Sequence, residues 1–356
     1  RHPESPLIKA WDYLRIDENN APAAGSFDGW PVRVAEVTVM DPCCGSGHFL
    51  VEAFGMLWKM RAEEEGLKPT VAQDSVLRDN LFGLELDSRC VQIAMFAVAL
   101  AAWKAGGGWR ELPVPNVACS GIPVKAPVEE WKALAGGDPQ LETALVRLHI
   151  LFRDADTLGS LIDPKGSTEV SDPTGLQRSF DDVEWDTIDS LLASALIAEA
   201  DDPAATVLGS DAVGLARAAD YLSRSYTLIA TNVPYLSSVN QGDKLKTFLA
   251  RRYPDAKADL ATCFLDRCGD FGASTSVAAV LPQNWMYLYA YRAFRERILA
   301  TTSLGCVAGL GARSFAGITG EVVKPCLLTM TFRIPEAHST MLALDVVAEP
   351  TPQKKA

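Results

Sequence analysis

Histidine is scarce in this chain. The four present in 356 residues (His2, His48, His149 and His338) stand far apart, with no cysteine or carboxylate at ligand spacing, so no metal is expected. The eight cysteines include no CxxC pair, and the neighbours Cys43 and Cys44 suit a disulfide framework badly, which points to a reducing cytoplasm. No apolar run reaches the roughly 18 to 20 residues needed to cross a bilayer, and Arg1-His2-Pro3-Glu4 opens without an apolar signal segment. Neither secretion nor a membrane partner is expected. What is present, 48% hydrophobic and 22% charged residues with 26 Gly and 21 Pro, is ordinary globular composition and excludes collagen-like, disordered and coiled-coil chains. The length admits two domains or one large α/β sheet with insertions.

Basic side chains are outnumbered 33 to 45, a net charge of −12 that on its own argues against a polyanionic partner. The distribution reverses that argument. Residues 154–220 hold 15 acidic and 3 basic residues, a local −12, so the remainder of the chain sums to zero. Residues 221–300 hold 10 basic and 6 acidic residues, including Lys244, Lys246, Arg251, Arg252 and Lys257, a strip that serves either to follow phosphates or as a solvated helix face.

Residues 1–33 read as a polar lead-in from a missing N-terminal region, and the folded core starts near Val34. Val34–Met40 is β-branched and runs into Asp41-Pro42-Cys43-Cys44-Gly45-Ser46-Gly47, a strand followed by a glycine turn. Helical spacing from His48 to Glu65 completes a first β-turn-α unit, with Gly66 as its C-cap. Further strands are expected at Leu81–Leu86, Asn116–Ser120, Tyr226–Thr231, Val277–Leu281, Leu304–Leu310 and Val323–Phe332. Helices are expected from Asp87 or Ser88 to Lys104, over about 127–135 and 139–152, and from about Tyr291 to Leu299. The alternation implies a mostly parallel sheet with helices on both faces. Residues 121–224, with an acidic loop from Ser160 to Asp182, read as a helical embellishment lying outside the core.

The dinucleotide fingerprint GxGxxG lacks its third glycine here: Gly45-Ser46-Gly47-His48-Phe49-Leu50 has Leu where it belongs, which disfavours a pyrophosphate cofactor. The glycines still let a ligand approach the backbone. Glu85 ends the second strand, where a carboxylate can accept both hydrogen bonds of a ribose diol. Asp41 can stand beside a cationic ligand or can merely cap the turn after it. A nucleoside cofactor that carries a positive charge and no phosphate, such as S-adenosylmethionine, fits this set.

The segment Asp41–Leu50, the strand-end Glu85 and the tetrapeptide Asn232-Val233-Pro234-Tyr235 together resemble the amino-group DNA methyltransferases of prokaryotic defence systems. The nearest likeness is to adenine-N6 methylases of type IIG restriction enzymes and of the BREX (PglX) and DISARM systems, over about residues 36–335. The resemblance implies a Rossmann-like class I fold dependent on S-adenosylmethionine (SAM), with a mixed, mostly parallel seven-stranded sheet. It places the catalytic domain at 34–335 and a C-terminal extension at 336–356. It further implies that Asp41, Pro42, Cys43, Gly45 and Gly47 hold the methionine part, that Glu85 binds the ribose, and that Asp156 in Ala155-Asp156-Thr157-Leu158 contacts the adenine of the cofactor.

In the family the tetrapeptide is usually Asn-Pro-Pro-Tyr. Val233 keeps the main-chain carbonyl that proline would offer and gives up only a fixed φ, so chemistry is expected to be retained with a less rigid acceptor. Asn232 and that carbonyl would accept from an exocyclic amino group, while Tyr235 and Phe315 would stack on a base rotated out of the duplex. Asp259 and Arg267, in a helix beginning at Lys257-Ala258-Asp259-Leu260, are expected on an exposed polar face. The implied partners are double-stranded DNA and either missing N-terminal and target-recognition regions or a partner subunit. Two alternatives stay open: an amino methyltransferase acting on protein glutamine or RNA, and a noncatalytic DNA-binding or regulatory subunit that retains the SAM pocket.

Overall fold

The computed structural model describes residues 4–11, 14, 29–165, 203–312, 314, 324–349 and 351–355. Phe315 and most of the acidic loop Ser160–Asp182 lie outside the described residues, as does most of the lead-in.

Strand β1 (Val39–Asp41) is followed by helix α1 (His48–Glu65), helix α2 (Pro69–Asp79), strand β2 (Leu81–Glu85), helix α3 (Ser88–Ala105) and strand β3 (Asn116–Cys119). Helices α4 (Val128–Ala133), α5 (Pro139–Leu151), α6 (Ala155–Leu158) and α7 (Pro203–Ser223) precede strand β4 (Leu228–Asn232). Helices α8 (Asp243–Arg252) and α9 (Leu260–Cys268) then lead to strand β5 (Ser276–Pro282) and helix α10 (Arg292–Thr301). Strands β6 (Ser303–Gly309), β7 (Pro325–Thr331) and β8 (Leu342–Asp345) complete the sheet. The eight strands lie in the order β3-β2-β1-β4-β5-β7-β6-β8, with only β7 antiparallel to its neighbours.

Two expectations are corrected by this sheet. It has eight strands rather than seven, because Leu342–Asp345 pairs in parallel with β6 at the edge. The run Val34–Met40 supplies only the short β1, since Val34–Glu36 forms a 3₁₀ turn. Helix α2 escaped the sequence reading, because its first turn carries Pro69 and its apolar residues are few.

Neighbouring residues on a strand face opposite sides, and the two cores follow that alternation. Val39, Leu81 and Val117 pack with α1, α2 and α3 on one face, whereas Met40, Phe82, Leu84, Ala118 and Ile229 pack on the other. The second face also holds Trp131, Leu145, Leu148, Phe152, Leu215 and Leu222, from α4, α5, α7 and the turn after α5. The helices of the 121–224 segment therefore build the larger core instead of lying outside it, since strands buried on both sides need helices on both sides.

Candidate active site at the strand ends

The strand order reverses at β1, which pairs with β2 on one side and β4 on the other, and ligands of open α/β sheets bind beyond the carboxyl ends at such a point. The register brings the predicted residues there together. Asp41 pairs with Gly83, two residues before Glu85, and Met40 pairs with Ile229, three before Asn232. Asp41, Glu85 and Asn232 thus terminate three adjacent parallel strands at one edge.

The turn after β1 is shaped by its glycines. Gly45 (φ +51°) and Gly47 (φ +84°) are left-handed, a conformation that side chains disfavour. A Cβ on Gly47 would come within 3.0 Å of Ala94 Cα in α3, so this position must be bare to let the helix pack. A Cβ on Gly45 would meet nothing within 4 Å, so that glycine borders open space on the ligand side. The Gly45 amide donates to Glu85 Oε2 at 2.8 Å and the Asp87 amide to Glu85 Oε1 at 3.2 Å, which fixes the carboxylate across the turn. Each oxygen keeps a free lone pair for a hydroxyl.

Asp41 is buried. Its Oδ1 accepts from the Cys43 amide at 3.1 Å, while Oδ2 has no well-formed hydrogen bond: the buried Thr231 hydroxyl on β4 lies close enough to bear on the carboxyl without being aligned to bond it. Burial pushes the Asp41 carboxyl up to about 7; the Thr231 hydroxyl and the Cys43 amide pull it back, and the Glu85 charge adds to the rise. An unpaired buried carboxylate oxygen is costly, and a cationic ligand would relieve that cost. Cys43 and Cys44 are pushed up by burial and by the neighbouring carboxylates, so neither is an activated thiolate. Pro42 is buried in the same turn, and His48 begins α1 with Nδ1 3.0 Å from Ser46 Oγ. All eight cysteines are free.

Asn232 is exposed at the end of β4, Val233 is buried in the main core and Pro234 is exposed again. The buried Val233 side chain holds the backbone by packing where a proline ring would hold it by its dihedral. The Tyr235 hydroxyl donates to Asn232 Oδ1 at 3.0 Å, and its pKa is raised by burial, with Cys326 and Asp259 adding to it.

Asp259, expected on an exposed face, is instead buried: Oδ1 accepts from the Ala261 amide at 2.9 Å, capping α9, and from the Leu236 amide at 3.3 Å. With Leu260 N donating to Leu236 O and Ser238 N to Ala258 O, it ties the chain after Tyr235 to the start of α9. Residues 257–259 form a turn and not a helix. Arg267 is likewise fully buried and not exposed. Its Nε and Nη2 donate to the carbonyls of Ser160, Ile162 and Leu222, and Nη1 faces Asp270 at 3.4 Å. Buried side chains at both ends of α9 explain the misreading, since charge alone suggested solvent.

Asp156 sits exposed on α6, while Asp154 is bound to Lys244 at 2.8 Å. The segment just beyond reaches the β2 and β3 ends, where Ser160 Oγ lies 3.2 Å from Ser120 Oγ and a Cβ on Gly159 would meet Leu86. Leu86 itself stays largely exposed directly after Glu85, an apolar surface for a flat ring that the motif reading did not single out. Its adjacency to the strand-end acid was the available signal. Among the described residues no helix is long and apolar enough to cross a membrane.

The Eco57I restriction-modification methylase family matches residues 79–313, and the DNA-methyltransferase domain of MmeI matches residues 21–122. The adenine-specific methyltransferase PglX of Lacticaseibacillus casei (strain Zhang) is 30% identical over 326 residues, covering 88% of this chain and 25% of its own length. The adenine-specific methyltransferase BrxX of Escherichia coli O9:H4 (strain HS) is 28% identical over 370 residues, covering 95% of this chain and 29% of its own. The chain therefore spans between a quarter and a third of these curated relatives. Among solved structures, a nuclease-deletion mutant of the Type ISP restriction-modification enzyme LlaGI in complex with a DNA substrate mimic aligns with a TM-score of 0.53 at 12% identity, over 98% of this chain and 23% of that one. The Type ISP enzyme LlaBIII bound to DNA gives 0.50 at 13% identity, over 95% and 19%. These likenesses show the fold.

Proposed function

Because the chain belongs to the Eco57I restriction-modification methylase family, we propose that it transfers a methyl group from S-adenosylmethionine to the N6 amino group of adenine in DNA, within a host defence system. The observation that carries this reading is the placement of Asp41, Glu85 and Asn232 at the ends of three adjacent parallel strands. The names of the two curated relatives support adenine as the target and, through PglX and BrxX, a BREX-like setting.

The pocket suits the methyl donor. Asp41, with its unpaired oxygen, would face the positively charged methionine end, together with the Pro42–Cys43 turn and the bare Gly45 and Gly47. Glu85 would take the ribose hydroxyls, Leu86 would lie against the adenine, and Asp156 would hydrogen-bond it from α6. The bound cofactor supplies an electrophilic methyl group on a sulfonium.

An adenine amino group is a poor nucleophile, because its lone pair is delocalised into the ring. Asn232 Oδ1 and the Val233 carbonyl accept its two N–H bonds, favour a pyramidal nitrogen and stabilise the positive charge that develops there. The amino proton then leaves to solvent. In the structure the Tyr235 hydroxyl occupies Asn232 Oδ1, so an arriving base takes over that acceptor while the ring remains beside it to stack. Phe315 is the second stacking residue in this reading. A base inside the duplex cannot reach such a site, so the adenine is rotated out. The test is transfer of labelled methyl groups to DNA by the wild-type protein and by Asn232→Ala: label on adenine N6 lost with the variant supports the reading, and label on protein or RNA instead overturns it.

A further inference from the structure

The loop between β5 and α10 carries a group of exposed aromatic and aliphatic side chains for which neither the core nor the cofactor pocket has a use. Tyr287 is 69% exposed and Tyr289 82%, with Leu288 between them also exposed. Exposed apolar side chains gathered at one place mark interaction surfaces, whereas scattered ones do not.

This tip is held in place. Trp285 and Tyr291 on either side of it are buried, and Trp285 packs edge-on against the fully buried Phe294, with ring centroids 6.2 Å apart. The amides of Tyr287 and Leu288 donate to the Asn284 carbonyl, and that of Tyr291 donates to the Leu288 carbonyl. Arg295 of α10 reaches back with Nη1 to the carbonyls of Trp285 at 2.6 Å and Leu288 at 2.7 Å. Gln283 N donates to Lys324 O, which pins the root of the loop to the start of β7.

Its position places it beside the catalytic tetrapeptide. Asn232 pairs with Val280 in the parallel β4–β5 ladder, and β5 runs only two residues further before the loop begins. At about 3.3 Å per residue the root of the loop leaves the sheet less than 10 Å beyond the level of Asn232. Cys326, the β7 partner of Leu281, bears electrostatically on the Tyr235 hydroxyl, and the Trp285 indole in turn bears on Cys326. The loop anchor and the base-stacking tyrosine therefore share a neighbour. Exposed Lys324 stands at the loop root, and exposed Lys257 lies in the turn bonded to Ser238, three residues after Tyr235.

We propose that the rigid Tyr287–Tyr289 tip is a DNA-strand contact, its rings stacking on bases beside the extruded adenine while Lys257 and Lys324 meet the flanking phosphates. This rests on the methyltransferase reading and extends it to an element which that reading leaves idle. Aromatic rings are suited to the role because every base presents a π-face, so the contact works whatever the neighbouring sequence. Held by Trp285 and Arg295, the rings lose little freedom on binding.

The test uses the full chain and hairpin duplexes that carry one unpaired adenine flanked by 5-iodouracil, which photo-cross-links to a ring stacked on it. Cross-links mapped by mass spectrometry to Tyr287 or Tyr289 are expected. The double variant Tyr287→Ala/Tyr289→Ala should lose those cross-links and bind the hairpin roughly tenfold more weakly. The double Phe variant should keep both, and SAM binding by calorimetry should be unchanged in all three proteins. Cross-links that map elsewhere, with wild-type affinity and methyl transfer in the Ala variant, would remove the loop's role and leave the methyltransferase reading standing. A wild-type chain that binds SAM but neither cross-links nor methylates DNA would remove both.

Discussion

Two buried charges in this chain are treated in opposite ways. Arg267, on α9, has three main-chain carbonyls and the Asp270 carboxylate around its guanidinium, and stacks over Phe271 with 4.2 Å to the ring centroid. Asp41, at the end of β1, has one amide on one oxygen and only the poorly aligned Thr231 hydroxyl near the other. The arginine joins α9 to the segment after α6 and to the end of α7, regions far apart in the sequence, so its surroundings are crowded because they hold the fold together. The aspartate begins the turn that carries Gly45, where an added Cβ would meet nothing within 4 Å. Burial is similar in both; the difference lies in what compensates it, since Arg267 lacks a hydrogen bond only at Nη1, which still faces the Asp270 carboxylate, whereas no cation is among the groups that bear on Asp41, and a buried acid so placed at a strand end has room for a cationic ligand.

Arg267→Met should be the most damaging change, because it strands three buried carbonyls and leaves the Asp270 carboxylate with Arg252 alone. A loss of about 3–5 kcal/mol is expected from chemical denaturation, with SAM affinity per folded molecule intact. A loss under about 1 kcal/mol would break the comparison.

Asn232→Ala should do the reverse, leaving stability within about 0.5 kcal/mol and lowering methyl transfer by roughly 10²–10³-fold. Single-turnover kinetics with labelled cofactor measures it, and a comparable fall in Tm would show that Asn232 belongs to the structure rather than to the chemistry.

Asp41→Asn sharpens the contrast through pH. The folded carboxyl titrates near 7, above its ordinary 3.8, so the native state holds the proton that the unfolded chain releases first. The resulting penalty is absent below about pH 4, grows toward pH 7 and stays constant above it. The variant should therefore be more stable than wild type at pH 8, by on the order of 1–3 kcal/mol, and no more stable at pH 4, while binding SAM at least about tenfold more weakly at pH 8. Thermal melts at the two pH values with calorimetry decide it.

Val233→Pro should have the smallest effect, a change in turnover of less than about tenfold, because the core already holds that backbone through the buried side chain. Turnover appearing only in the proline variant would support the noncatalytic alternative.

Much of the site was legible before the fold. Gly45 and Gly47 announce a turn that ordinary residues avoid, Glu85 and Asn232 follow apolar runs that must be strands, and α1 was bounded at His48 and Glu65 by a glycine on either side. Short-range chemistry carries such signals. Asp259 and Arg267 were misread because a charged residue's burial depends on partners 20 to 100 positions away, such as Leu236 and Ser160. The 121–224 helices were misplaced for a related reason: their apolar stripes were visible, but not the sheet face they would cover. Strand β8 was missed because four residues with an exposed pattern have little to distinguish them from a loop.

The sequence by itself determined that a glycine turn, a strand-end acid and an Asn-x-Pro-Tyr segment exist, since each depends on local backbone freedom and residue type. Only the tertiary structure decided that they share one sheet edge, that Asp41 keeps an oxygen without a well-formed bond there, and that Tyr287 and Tyr289 stand exposed in the loop after the strand that pairs with Asn232. Strand order and register fix those relations, and both are set by packing between segments remote along the chain.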